Sequence, residues 1–526
     1  MPASVRVPHR GIHVASLALC AVFLPWSTAF LSISQMILAA NWISAGLLLG
    51  EARARWRSAL SAPATVFISY LGLHVLGLLW TEDLGWGIDL CRILLPVLVF
   101  GVVLAGSERL QPKELRTVLL LGAWSAIASG LVGVAFSGAG PHDYRSVSMF
   151  ISHIRLALLL CLAIAVLIHY SDGPWLQRAA HAAGCIAALL MLLRLGSIQG
   201  AAILALMAWA ALWRRSASLA AGHRRRMRAA LILIPIGAGF VTVWAVQTQH
   251  HPVPSGLARR MERTAGGELY YHDTTNTQTE NGTHVWTYLA WEELRRTWPR
   301  RSDRMLDDLD DRGHPLWSTL VRYMASKGLR KDSAALMSLT EGEIRAIESG
   351  VPNADGETGS GLRARIEEVL FELEVYRSTG LAGGHSVAMR LEFLRAGWSI
   401  AREHWFMGVG TGDTQRAFDA HYASVDSPLG EQWRLRAHNQ YLTLWISFGA
   451  FGLAAALLQW WWPAWRLGAW RSPLFACWAI AFGVSCLTDD TLETQAGATF
   501  FALYYALFVF GAPKLSVAAA PAPAAG

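Results

Sequence analysis

Apolar runs of roughly twenty residues recur along the chain, and no other feature narrows its possible folds so far. A run of that length crosses the ~30 Å hydrocarbon core of a bilayer as a helix. In hydrocarbon only helices and closed barrels satisfy every backbone polar group. About twelve such runs can be read: 12–30, 33–50, 61–80, 88–106, 116–137, 150–169, 179–196, 198–213, 229–247, 437–461, 473–488 and 496–512. With 53% hydrophobic and 16% charged residues, an ordinary soluble chain is excluded. The first run has the length of a signal-peptide core, but no small-residue cleavage site precedes the second, so it counts as a span. The expectation is an all-α polytopic membrane protein with about twelve transmembrane helices.

Orientation follows from basic residues. Outside the long hydrophilic stretch 249–436, about 18 of 22 Lys and Arg fall on one side of these spans. They include Arg6 and Arg10, Arg53, Arg55 and Arg57, Arg109, Lys113 and Arg116, and the cluster from Arg214 to Arg228. That side is expected to be cytoplasmic, with both termini inside and 249–436 outside. The net charge of +7 is then mostly a topology signal, and the "GHRRRMR" loop needs no nucleic-acid partner. The expected organisation is spans one to nine over 1–248, an extracytoplasmic segment over 249–436, spans ten to twelve over 437–513, and a disordered cytoplasmic tail over 514–526.

The hydrophilic stretch reads as mostly helical folded protein. Asn281-Gly282 between Thr- and aromatic-rich arms signals a hairpin. Thr340 and Glu343 stand at capping-box spacing with Gly350 as a stop. Ile366, Leu370 and Leu373 share a helical stripe that ends at Gly380. The acids Asp307, Asp308, Asp310 and Asp311 lack the ligand spacing of a calcium loop and read as a solvated face. All six cysteines lie in or at apolar runs, so neither a disulfide framework nor a zinc site is expected. No phosphate-loop or dinucleotide fingerprint is present, so nucleotide hydrolysis is not expected to drive the protein.

Polar residues converge on the outer face. His142, Asp143, Arg145, His153 and Arg155 sit at the outer end of the sixth span, and Arg194 and Gln199 at the turn after the seventh. Asp489, Asp490 and Glu493 follow the eleventh, while the long segment returns through Arg390, Arg395, Arg434, Arg436, His438 and Asn439. An interfacial Arg can simply snorkel to headgroups. Arg155 and Arg194 lie deeper in apolar sequence, where an ionisable group is a functional candidate. Guanidinium groups with a nearby His suit a lipid-linked phosphate or pyrophosphate, because the planar fork binds phosphate oxygens and imidazole serves as a base near neutral pH.

His438-Asn439 followed by Gly449-x-x-Gly452 resembles the signature of the O-antigen ligase family. The segment from Arg390 through "LEFLRAGWSIAREHWFMGVGTGD", and the segments "SHIRLALLL" and "TLETQAGATFFALYYALF", are similar to family segments as well. The resemblance spans the fifth to twelfth runs, within a branch with an enlarged loop. Relatives often carry Ser-Arg-Gly after the seventh span, where this chain has "GSIQG". The resemblance implies a GT-C-like glycosyltransferase in a bacterial inner membrane, with its active site on the periplasmic side. It would move a glycan from an undecaprenyl-pyrophosphate carrier to lipid A–core oligosaccharide, with no cofactor. His438 would be the base, and Arg390 with Arg155 or Arg194 would hold the pyrophosphate. Asn439, Arg436, Arg145, His153 and Glu493 would support them.

Other acceptors are open on this reading. A polysaccharide polymerase would use a second lipid-linked glycan, and a protein O-oligosaccharyltransferase a Ser or Thr. A transporter or flippase would carry midplane charges and internal repeats, neither of which is evident here.

Overall fold

The computed structural model describes residues 8–136, 148–248, 256–257, 261–354 apart from 275 and 277, a few positions between 372 and 383, and 386–513 apart from 426. Helix dominates. Among the described residues the paired strands are Thr279–Glu280 and Thr283–His284. A helix lies over each of the twelve apolar runs. Six helices, Thr28–Leu48, Ala62–Trp80, Leu84–Ala105, Pro112–Phe136, Trp175–Arg194 and Gln440–Arg466, are long and apolar enough to cross a membrane. His9–Phe23, His153–His169, Pro473–Thr488 and Gln495–Gly511 are shorter apolar helices. Ile366 and Leu370 of the stripe that ends at Gly380, and the residues His142, Asp143 and Arg145, lie outside the described residues.

Two compact units are present. The first comprises 1–212, 390–427 and 434–526. Its helices carry apolar side chains all round, as lipid-embedded helices must, so burial from water does not choose their partners; close packing does. A ring cluster supplies it. Phe67 stacks on Tyr505 at 4.3 Å and 5° between planes, and Phe482 stacks on Phe501 at 4.7 Å. Trp478 lies parallel to Phe482, and Trp460 meets Phe482 edge-on. These rings fasten helix 62–77 and the last three helices to one another.

A second fastening is made of backbone. Gly449 interrupts Gln440–Arg466 with φ 69° and ψ −177°, a conformation that costs a residue with a Cβ dearly. The break frees polar groups that a membrane helix cannot leave unsatisfied. The turn 405–410 takes them up: Val409 N–H donates to Ile446 O at 2.8 Å, Gly410 N–H to Ser447 O at 2.9 Å, and Ala450 N–H to Trp405 O at 2.8 Å. The approach is close enough that a Cβ on Gly449 would lie 2.0 Å from Phe406 O, and one on Gly408 would lie 2.3 Å from Ser447 C. Just beyond, the Asp413 carboxylate accepts from the N–H groups of Glu82 and Asp83 at 2.7 and 2.9 Å. Thr411 Oγ1 donates to His74 O at 2.6 Å. The glycines of "GVGTGD" and "FGAFG" thus dock the returning segment into the helices.

The second unit comprises 213–389 and 428–433. It has its own core around Leu289, Trp298, Leu316, Leu320, Met324, Leu336 and Ile347. The hairpin tip is found at Asn281 (φ 49°) and Gly282 (φ 79°), both left-handed as the tight hairpin turn requires. The capping box of Thr340 and Glu343 opens Glu341–Glu348, and Gly350 follows at φ 82°. Asp310 is buried, and it accepts from Arg312 N–H, His314 N–H and Thr319 Oγ1. It is therefore a structural turn residue, and no group of metal-ligating side chains occurs among the described residues.

Candidate functional site

Three chain returns of the first unit meet at one place: the start of His153–His169, the approach to Gln440–Arg466, and the turn 489–494 between Pro473–Thr488 and Gln495–Ala506. Asn439 sets the geometry of the middle one. Its side chain accepts from Leu442 N–H at 3.0 Å as the N-cap and donates to Leu487 O at 3.0 Å, so the residue before it is held at a helix mouth. That residue is His438, which adopts φ 48°. A non-glycine residue in the left-handed region carries strain that its surroundings must enforce. Here it turns the imidazole Nδ1 to 3.6 Å from Asp489 Oδ1, within ion-pairing reach. Phe393 packs its ring against the imidazole at 5.8 Å.

Behind Asp489 stands Arg155. The residue is 6% exposed, and its guanidinium pairs with the Asp489 carboxylate and donates to Thr494 Oγ1 at 3.3 Å. Burial alone would push Asp489 up, but His438 and Arg155 outweigh it and hold the carboxyl at about 2. Asp489 is ionised at neutral pH and links arginine to histidine. A histidine whose Nδ1 faces a fixed carboxylate presents Nε2 away from it, the arrangement that orients a catalytic imidazole in acyl-transfer enzymes.

Beside this line lies a second pair. Arg436 pairs with Glu493 and stacks over Trp86 at 5.4 Å. Asp490 accepts from Thr443 Oγ1 at 2.7 Å. Burial drives both Asp490 and Glu493 upward; Asp489 adds to the rise of Asp490, and Asp490 and Asp489 to that of Glu493, with Arg436 opposing in both cases. Three acids with two arginines on one buried turn are most stable with a proton retained among them.

Arg390 is exposed on Ser386–Glu403, one turn before Phe393. Gly397, one turn after Phe393, is close enough that a Cβ would touch Leu442. Residues 390, 393 and 397 thus share the helix face that runs along the mouth of Gln440–Arg466. Arg194 ends Trp175–Arg194, which packs along His153–His169 through the short connection 170–174. Arg194 and Arg155 therefore stand at the same end of a helix pair. His153 is half-buried at the first position of its helix. Arg145 lies outside the described residues.

The sequence places Asp489 only as one of several outer-face acids, and nothing in it singles out Thr443 or Trp86. The signal available was an Asp-Asp-x-x-Glu turn at a helix end, which shows that acids are there but not which cation each meets.

The fold and this site define a polytopic helical membrane protein whose ionisable groups gather where a long hydrophilic segment returns to the spans. No curated protein matches the chain. Residues 376–457, which carry Arg390, Arg436, His438, Asn439 and the broken helix, match the family described as O-antigen ligase. The match over this segment supports membership of the O-antigen ligase family, and with it a glycosyltransferase-like ligase or polymerase in general terms.

Proposed function

We propose that the protein transfers a glycan from undecaprenyl pyrophosphate to lipid A–core oligosaccharide at the periplasmic face of a bacterial inner membrane. The observation that carries the reading is the Arg155–Asp489–His438 line, which fixes an imidazole at the helix mouth over which the Arg390 helix runs. In the reaction the acceptor hydroxyl gives its proton to His438 Nε2 while its oxygen attacks the anomeric carbon. The bond from that carbon to the pyrophosphate oxygen breaks, and the electron pair leaves with pyrophosphate. A positioned base is worth about 10²–10⁴ in rate. Growing negative charge on the leaving group is stabilised by cations placed against it. Arg155 is committed to Asp489, so its part is to hold the carboxylate that orients His438. By position, Arg390 on the helix face beside His438 and Arg194 at the helix-pair end beside Arg155 take the pyrophosphate, and Arg194 serves where relatives have Ser-Arg-Gly. Arg436 and Glu493 keep the returning segment against the turn, and His153 lies at the first position of its helix.

The topology belongs to the same proposal: twelve spans, both termini cytoplasmic, and 249–436 periplasmic. A second unit with its own core favours a distinct acceptor, hence ligation over polymerisation. Mass spectrometry of surface glycolipid from a deletion strain tests it. Lipid A–core lacking polymer is the expected result, and full-length polymer still attached to lipid A–core would refute it.

A further inference from the structure

On other helices of the first unit, a cleft of ≈ 620 Å³ opens between the start of His9–Phe23, the end of Thr28–Leu48, the short helix Ala52–Ala59 and the turn 106–108. Its volume falls within the range of small-ligand sites. Two polar atoms on its wall are buried with no hydrogen-bond partner among the described residues: His13 Nε2, on a side chain 5% exposed, and Ser107 Oγ. A buried polar group left unpaired costs about 1–3 kcal/mol, so such a wall is built for something that bonds to it. The neighbouring groups are ordered. His9 Nδ1 and Asn41 Oδ1 are 2.9 Å apart, and Asn41 Nδ2 donates to His9 O at 3.0 Å.

The charges facing the cleft come in two signs, Arg10 and Arg55 with Glu51 and Glu108. Arg10 is fixed by Glu114 on the adjacent helix. Arg55 bonds Glu51 at 2.9 Å, but that carboxylate is 52% exposed, and a surface pair of this kind is worth little and can be opened by a better anion. The mouth is amphipathic. Leu47, Leu48 and Leu49 are exposed on one side, and Arg53, Trp56 and Arg57 project from the short helix on the other, Trp56 standing edge-on to Trp42 at 5.0 Å. Exposed leucines beside a Trp- and Arg-bearing surface helix mark the level where acyl chains meet headgroups.

We propose that this cleft binds the headgroup of a glycerophospholipid that carries both a phosphate and a primary ammonium. Arg55, His13 and Ser107 meet the phosphate, Glu51 and Glu108 meet the ammonium, and the acyl chains lie along Leu47–Leu49. The inference needs nothing from the glycosyl-transfer reading, apart from naming the leaflet as cytoplasmic. The balanced charge selects the zwitterion over an anionic headgroup, whose phosphate would leave the two carboxylates unpaired, and over a quaternary ammonium, which offers them no N–H.

Native mass spectrometry of the delipidated full-length protein tests it, with phosphatidylethanolamine, phosphatidylglycerol and phosphatidylcholine titrated in turn. Phosphatidylethanolamine should be retained most strongly, and O-phosphoethanolamine, but not inorganic phosphate, should compete with it. Arg55→Met with Glu108→Gln should weaken retention about tenfold or more, the loss expected for charge-assisted hydrogen bonds. Ser107→Ala, which removes one small hydroxyl and leaves the fold intact, should weaken it by a smaller factor. Equal retention of all three lipids by wild type and variants would mean annular lipid only and overturn the proposal. Displacement by inorganic phosphate alone would make the cleft a free-phosphate site and overturn it equally.

Discussion

At the residue scale, Asp489 holds the site together, because its carboxylate faces both Arg155 and His438. Replacing it with Asn keeps the shape and removes the charge. Asp489→Asn should lower kcat by about 10²-fold or more while leaving the donor KM near its wild-type value, since the loss falls on a step after donor binding. Steady-state kinetics in proteoliposomes would show this, and an unchanged kcat would remove Asp489 from the mechanism. Glu493 carries a pH signature of the opposite sign. Its folded carboxyl is raised, chiefly by burial, so it adds stability while protonated and loses that contribution as pH climbs through its folded value. Asp489, held low, adds stability at neutral pH that is lost only in strong acid. The thermal midpoint of the wild type should therefore fall as pH rises from the ordinary carboxylate range through neutrality, and Glu493→Gln should flatten that slope. A variant with the same slope as wild type would assign the dependence to another group.

At the scale of elements, the docking of the 405–410 turn into the broken helix is what fixes the mouth of Gln440–Arg466. Gly449→Ala places a Cβ against Phe406 O in a backbone region that itself costs about 1–3 kcal/mol for a non-glycine residue. The variant should unfold at markedly lower temperature in detergent. Gly11→Ala, on an open helix face with nothing near its Cβ, should be neutral or slightly stabilising and serves as the control. Equal melting of both variants would show that the interlock does not matter. The helices themselves were legible in the sequence, since an apolar run of sufficient length has no other stable form in lipid. Local signals such as the Thr340–Glu343 box and the Asn281-Gly282 tip were legible for the same reason: each is complete within a few residues. The pairing of His438 with Asp489, and of 405–410 with 446–450, was not. Those partners are far apart in the chain, and apolar periodicity does not say which helix ends meet. The depth of Arg155 could be read from its flanks, but its counter-ion could not.

At the scale of the whole molecule, the proposed topology puts the folded segment 261–354 and the basic loop around Arg224 on opposite sides of the membrane. In a background lacking the six native cysteines, Ser338→Cys and Ser218→Cys, both exposed positions, should label oppositely with an impermeant thiol reagent in spheroplasts. Ser338→Cys should label and Ser218→Cys should not. The reverse pattern would invert the topology and put the site on the cytoplasmic side. Transfer itself is the more direct test of the central claim, that a fixed imidazole at the helix mouth takes the acceptor's proton. Purified His438→Ala protein should bind the lipid-linked donor with nearly wild-type affinity and transfer its glycan about 10²–10⁴-fold more slowly. His438→Ala protein that transfers at the wild-type rate would contradict the account.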